Sequence, residues 1–233
     1  MSVSKDIFRY LSRPHFFEEK ETLSFGTIPT LSRIMGLKLL LTLAVYFLIA
    51  WVTTTVDINE PARTSHLARE FDISRFLKIA IFLPFMEELI FRSWLRKKWG
   101  VFYVFPLISL FAIWFLCDKL EIKFSLVIFG GAGLILLLNA AIISNLQKKI
   151  GSDGLVQILF PYIFWIVTVL FALLHLTNYK TPEVEPLSFL FVLPQFIGGA
   201  FYGYIVMRFG FLSAFGYHAL WNGSLAIIAI TMT

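Results

Sequence analysis

The sequence has one cysteine in 233 residues, Cys117, so it holds no internal disulfide framework and no CxxC metal or redox site. Charge is scarce too. Asp, Glu, Lys and Arg make up 15% of the chain against 58% hydrophobic residues, and the mean hydropathy is +0.78, a balance that excludes an ordinary soluble domain. The period-two alternation of barrel strands is missing. The start, "MSVSKDIFRYLSRP", has no unbroken apolar core of the kind a cleavable signal peptide needs, so the first spanning helix is expected to act as the signal. There is no internal repeat and no low-complexity tract. The net charge of +5 is spread along the connections rather than gathered on one face, which argues against a nucleic-acid partner.

What is present is a series of windows of about 20 residues almost free of charge, the length a helix needs to cross about 30 Å of hydrocarbon. The expected fold is all-α: a polytopic membrane bundle of about seven helices at 34–56, 76–95, 101–117, 124–143, 156–177, 188–207 and 210–231. Residues 1–33 form an N-terminal segment and 34–233 the membrane domain. Alternate connections carry unequal numbers of Lys and Arg. Twelve fall on one side (Lys5, Arg9, Arg13, Lys20, Arg33 and Lys38, then the "RKK" at 96–98, Lys148, Lys149 and Arg208) and seven on the other, which places the N-terminus in the cytoplasm. The mixture of Ile7, Phe8 and Leu11 with Lys5, Arg9 and Arg13 suits a helix lying in the inner interface, or equally a mobile polar tail. Residues 57–75 form the longest polar connection. The "GGAG" at 130–133 and "GG" at 198–199 suit close helix packing better than phosphate binding, since neither opens a helix after a strand.

Ionisable groups at mid-helix cost on the order of 3 kcal/mol on insertion scales, so each is a functional-site hypothesis by default. Three places stand out: Glu87, Glu88 and Arg92 in "FMEELIFR", His175 in "FALLHLTN", and His218 with Asn222 in "YHALWNG". Glu88 and Arg92 are four residues apart with the acid on the N-terminal side, the favourable order for an intrahelical ion pair. Arg92 is also close enough to "RKK" to snorkel to the interface instead. Glu87 points about 100° away around the helix, with no local cation, and is the carboxylate left for chemistry. His218 and Asn222 face the same way one turn apart. Beside a carboxylate they could hold a water and polarise a carbonyl, and His175 would add a second imidazole. The structural alternatives are an interhelical hydrogen bond for each His and a purely structural Glu88–Arg92 pair.

Glu87-Glu88-x-x-x-Arg92, Phe171-x-x-x-His175 and His218-x-x-x-Asn222, in that order and each in an apolar helix, resemble the three motifs of the CPBP intramembrane endopeptidases, the CAAX proteases and bacteriocin-processing enzymes also called the Abi family. The resemblance covers about 76–231. It implies peptide hydrolysis without a covalent intermediate: Glu87 as the base that activates a water, His175 assisting, His218 and Asn222 stabilising the oxyanion, and Glu88 and Arg92 supporting the geometry. Two departures accompany it. The gap between Arg92 and Phe171 is long, as if two extra spans had been inserted. His175 also lies near the outer end of its span, whereas Glu87 and His218 lie about 12 Å from their inner ends, so several ångströms must be closed.

Two His and a Glu could bind zinc with a fourth position open for water, but the HExxH signature is absent. A metal-free glutamate mechanism with no cofactor is preferred. The expected partners are the lipid bilayer and a peptide or membrane-protein substrate, with the protein a multi-pass component of the cytoplasmic membrane. The competing readings are a non-enzymatic scaffold or bacteriocin-immunity protein that keeps the fold, and a small transporter. The latter is disfavoured because neither half-helices nor a repeated motif is present. Substrate and oligomeric state are not legible.

Overall fold

The computed structural model describes residues 3–17, 19–21, 24–56, 72–97, 100, 102, 104, 126–178 and 188–231, except for the side chains at 126–140, 177, 188, 229 and 230. Most of the expected span at 101–117 and most of the 57–75 connection therefore lie outside the described residues. Everything regular among the described residues is helical: α1 (Val3–Ser12), α2 (Ile28–Val56), α3 (Ile73–Leu77), α4 (Leu83–Arg92), α5 (Leu126–Leu174), α6 (Leu193–Phe209) and α7 (Phe211–Thr231), with short 3-10 turns at Phe25–Thr27, Ser93–Arg96, His175–Asn178 and Ser188–Val192. Among the described residues, three stretches, Phe25–Thr55, Ala141–Leu174 and Phe189–Phe209, are long and apolar enough to cross a membrane.

The bundle is apolar outside as well as inside. Phe47, Trp51, Ile90, Tyr162 and Leu212 are all more than 60% exposed, a surface that water does not reward and acyl chains accept. At the centre stands α6, whose residues from Gly198 to Met207 are buried without a break, because α2, α5 and α7 cover it on different sides. Gly210 makes the turn from α6 to α7. Its φ of 90° lies where side-chain-bearing residues are strained, and with a single residue between the helices the chain doubles straight back.

Between α3 and α4 the chain widens into a π turn, Lys78–Phe82, closed by Leu83 N–H donating to Lys78 C=O. Pro84 follows directly. A proline has no N–H to return to the carbonyl four residues back, and its ring crowds that carbonyl, so the turn opens ahead of it. The extra residue in the turn rotates everything after it, including residues 87, 88 and 92.

Two features depart from the sequence-based expectation. The spans expected at 124–143 and 156–177 were to be joined by a polar turn. Instead the chain stays helical on both sides through Lys148, Lys149 and Asp153, two helices that meet at Gly151 (φ 72°, ψ 156°), so the connection is one glycine wide. Lys38, counted above with the inner-side charges, is enclosed at 1% exposure on α2. Without it eleven basic residues remain on that side against seven, and the bias keeps its sign.

The N-terminal segment is docked rather than free. Ile7 and Tyr10 of α1 are buried, with Tyr10 meeting Tyr204 and Phe164 edge-on at 5.3 and 5.7 Å between ring centroids. Arg208 at the end of α6 ties this segment down by donating to Asp6 (3.2 Å), Glu21 (2.7 Å) and Tyr204 Oη (2.6 Å).

Helices α5 and α6 approach at Gly203, where a Cβ would sit 2.6 Å from Cε2 of the buried Phe164 ring. Gly203→Ala is expected to destabilise the protein by about 1–3 kcal/mol through overpacking, seen as a lower thermal midpoint in detergent. Adding Phe164→Leu should recover part of that loss.

Candidate active site

The site is assembled by α4, the C-terminal end of α5 and α7, with α6 behind them. Glu88 is fully buried and Arg92 is 3% exposed, so the guanidinium does not reach for the interface. Arg92 Nη1 donates to Glu88 Oε1 at 2.6 Å, the intrahelical pair expected from the four-residue spacing. Arg92 is also stacked between rings, 4.2 Å from the Phe171 centroid and 5.3 Å from that of Tyr202. Such faces suit a planar cation that has surrendered its water. Gly199 leaves the space. A Cβ there would lie 3.0 Å from Phe171, 3.2 Å from Thr168 and 3.4 Å from Arg92 Nη2, which is the close-packing role expected for this glycine pair.

Glu88 Oε1 takes a second hydrogen bond, from Nδ1 of His218 at 2.8 Å. A carboxylate accepts, so Nδ1 carries the proton and Nε2 is left facing outward from the pair. His175 arrives the same way. Its Nδ1 lies 2.8 Å from the Phe171 carbonyl oxygen, an acceptor only, so this ring too is held with Nε2 pointing away. Both Nε2 atoms face one atom, Oε2 of Glu87, at 3.6 Å from His218 and 3.9 Å from His175. These distances are too long for direct hydrogen bonds and short enough for one water to serve both sides. Oε2 of Glu87 is buried and takes no hydrogen bond from any described residue.

Glu87, Glu88, Arg92, His175 and His218, which stand up to 131 positions apart in the chain, therefore meet at one point. His175 stands at the end of α5, where the helix gives way to the 3-10 turn His175–Asn178. Asn222 lies one turn beyond His218 on α7, half-buried, and makes no hydrogen bond with a described residue.

Two contributors were not singled out from sequence. Tyr202 of α6 stacks on His218, with 4.2 Å between centroids and 23° between planes, and Lys38 Nζ donates to Tyr202 Oη at 2.6 Å. Nothing in the sequence marks Tyr202, one of eight tyrosines, as different from interfacial aromatics. Lys38 did carry a signal, since it is a lone charge inside the window 34–56 and four residues from its inner edge. Proximity to that edge is what made it resemble a topological charge.

Among the described residues, no group of three His, Cys, Asp or Glu side chains is gathered closely enough to hold a metal ion. A family model described as Type II CAAX prenyl endopeptidase Rce1-like matches residues 69–224, a span that includes all six site residues and excludes α1 and α2. No curated protein and no solved structure matches the chain.

Loss of Arg92 strands a buried carboxylate. Arg92→Leu should cost about 3–5 kcal/mol, measured as thermal unfolding in detergent. Glu88→Gln/Arg92→Leu, which removes both charges, should be milder than Arg92→Leu alone.

Proposed function

Because the chain belongs to the Rce1-like family of type II CAAX prenyl endopeptidases, a protease family, we propose that it is an intramembrane endopeptidase in which Glu87 activates the attacking water. The observation that carries this reading is the convergence of two imidazole Nε2 atoms on Glu87 Oε2. In the proposed reaction a water between Glu87 and His175 loses a proton to Glu87 as its oxygen attacks the carbonyl carbon. His175, fixed as an acceptor by the Phe171 carbonyl, orients that water through its other hydrogen. The oxyanion accepts from His218, which donates from Nε2 when doubly protonated, with Glu88 holding the other ring N–H, and from the Asn222 amide. Collapse breaks the C–N bond, and the departing amine takes the proton from Glu87. No covalent intermediate forms.

The same reading is metal-free. Its support is the lack of a gathered three-ligand cluster among the described residues, together with the missing HExxH pattern. The protein is further inferred to be a seven-span component of the cytoplasmic membrane with its N-terminus inside, on the basic-residue bias of eleven to seven. The proposed substrate is a membrane-associated protein or peptide cleaved near the inner face.

Glu87→Gln keeps the shape of the side chain but not its proton affinity. Comparing membrane peptidomes of cells carrying wild type or Glu87→Gln should reveal a precursor that accumulates with the variant, and cleavage of that precursor by purified protein should fall by at least about 100-fold. A well-folded Glu87→Gln variant that cleaves normally would remove Glu87 from the reaction. Incubation with a strong chelator should leave activity intact. Activity lost to chelator and restored by zinc would overturn the metal-free mechanism.

A further inference from the structure

Lys38 is a buried amine for which the hydrolytic scheme has no use. It projects from α2, outside the matched residues 69–224, into the seam between α2, α6 and α7. Among the described residues its one hydrogen bond goes to Tyr202 Oη at 2.6 Å. For the rest it rests on rings: Nζ is 3.6 Å from the Trp221 centroid, 4.5 Å from that of Tyr202 and 5.9 Å from that of Tyr217. Glu88, the fully buried carboxylate of the site, is already held by Arg92 and His218. Taking an amine out of water opposes folding, and one hydrogen bond to a phenol with aromatic faces around it returns only part of that loss. A methionine would fill the same space with no such penalty.

What Lys38 holds is the far end of a stack. The Tyr202 ring lies face to face on His218 at 4.2 Å. Glu88 grips that imidazole at Nδ1, which leaves the ring free to tilt about the hydrogen bond, and the tilt decides where Nε2 falls relative to Glu87. Tyr202 blocks the tilt, provided that the phenol itself is fixed, and Lys38 fixes it at the hydroxyl. The same amine sits on Trp221, the residue between His218's turn and Asn222, so the segment of α7 carrying both groups is braced against α2.

We propose that Lys38 is a positioning residue of the hydrolytic centre, acting through the Tyr202 hydroxyl to hold the His218 imidazole in line with Glu87. This rests on the reading of Glu87 and His218 as hydrolytic groups. Activity alone therefore cannot be its only readout.

The test uses the full chain in detergent with Lys38→Met, Tyr202→Phe and the double variant. On the precursor found with Glu87→Gln, each single variant should lower kcat about tenfold with KM changed less than about twofold, the signature of a misplaced group rather than a lost binding contact. The double variant should be no worse than either single one, because both interrupt one path. It should also melt at or above the wild-type midpoint, since removing both partners leaves neither buried and unmet. In protein labelled with 15N-histidine, the imidazole resonances of His218 should shift in all three variants while those of His15, near the N-terminus and outside the site, stay in place. That measurement needs no substrate. If Glu87→Gln cleaves like wild type, the protease reading fails while the histidine spectra still decide the positioning claim. Unchanged His218 resonances, an unchanged kcat, losses that multiply in the double variant, or a double variant melting below wild type would each overturn it.

Discussion

The ion pair between Glu88 and Arg92 is the constraint on which the rest of the structure depends. A carboxylate and a guanidinium in an apolar bundle are each prohibitive alone, and together they are tolerable only if every remaining donor and lone pair is answered. Their spacing of four residues answers the first demand before any tertiary contact forms, because the pair closes within one helix at 2.6 Å. The remaining demands then organise the bundle. Arg92 requires flat faces, which Phe171 of α5 and Tyr202 of α6 supply, and requires room, which Gly199 leaves. Glu88 requires a second donor, which His218 of α7 supplies. Four helices are thus brought to one point by the electrostatic needs of two side chains, where dispersion between apolar helices in lipid would specify little.

The consequence for chemistry follows from adjacency. Glu87 is next to Glu88 in sequence but about 100° away around α4, so the element that satisfies one carboxylate displays the other. His218 is shared, bound to Glu88 through one nitrogen and turned to Glu87 by the other. Phe171 is shared as well, with its ring under Arg92 and its carbonyl on His175. The groups that make the site stable to bury are the same ones that aim the two free nitrogens. Preorganisation here is a by-product of neutralising charge.

Much of this was legible in the residues themselves. The Glu88–Arg92 pair follows from spacing and orientation alone, and the freedom of Glu87 follows from helix geometry. The gathering of Glu87, His175 and His218 was expected from the three-motif resemblance, since the positions alone left an interhelical hydrogen bond open for each His. What escaped was whatever depends on a departure from ideal helix or on a partner without charge. The π turn at Lys78–Phe82 changes the face on which α4 presents its acids relative to α3, and a period of 3.6 carried through 73–92 misses that rotation. The end of α5 at Leu174, with the 3-10 turn His175–Asn178 after it, is a helix end that hydropathy cannot locate. Lys38 was misread because a charge near a span boundary is more often anchored at the surface than caged, and its cage of Tyr202, Tyr217 and Trp221 comes from residues more than 160 positions away. Asn222 lies one turn beyond His218 on α7, as its spacing requires.

Hydration ties the stability problem to the reaction. Oε2 of both Glu87 and Glu88 and Oη of Tyr217 are buried without a hydrogen bond from any described residue. In a dry apolar bundle each of these oxygens would oppose folding by the full cost of its desolvation, about 1–3 kcal/mol and more for a charge. A fold that tolerated them dry would therefore need compensation elsewhere. A fold that admits water to Glu87 needs none, because the molecule that satisfies Oε2 is the one a glutamate base must bind in order to act. Under the proposed glutamate mechanism, supplying water and stabilising the free carboxylate are one requirement, and the two imidazole nitrogens facing Glu87 suit both.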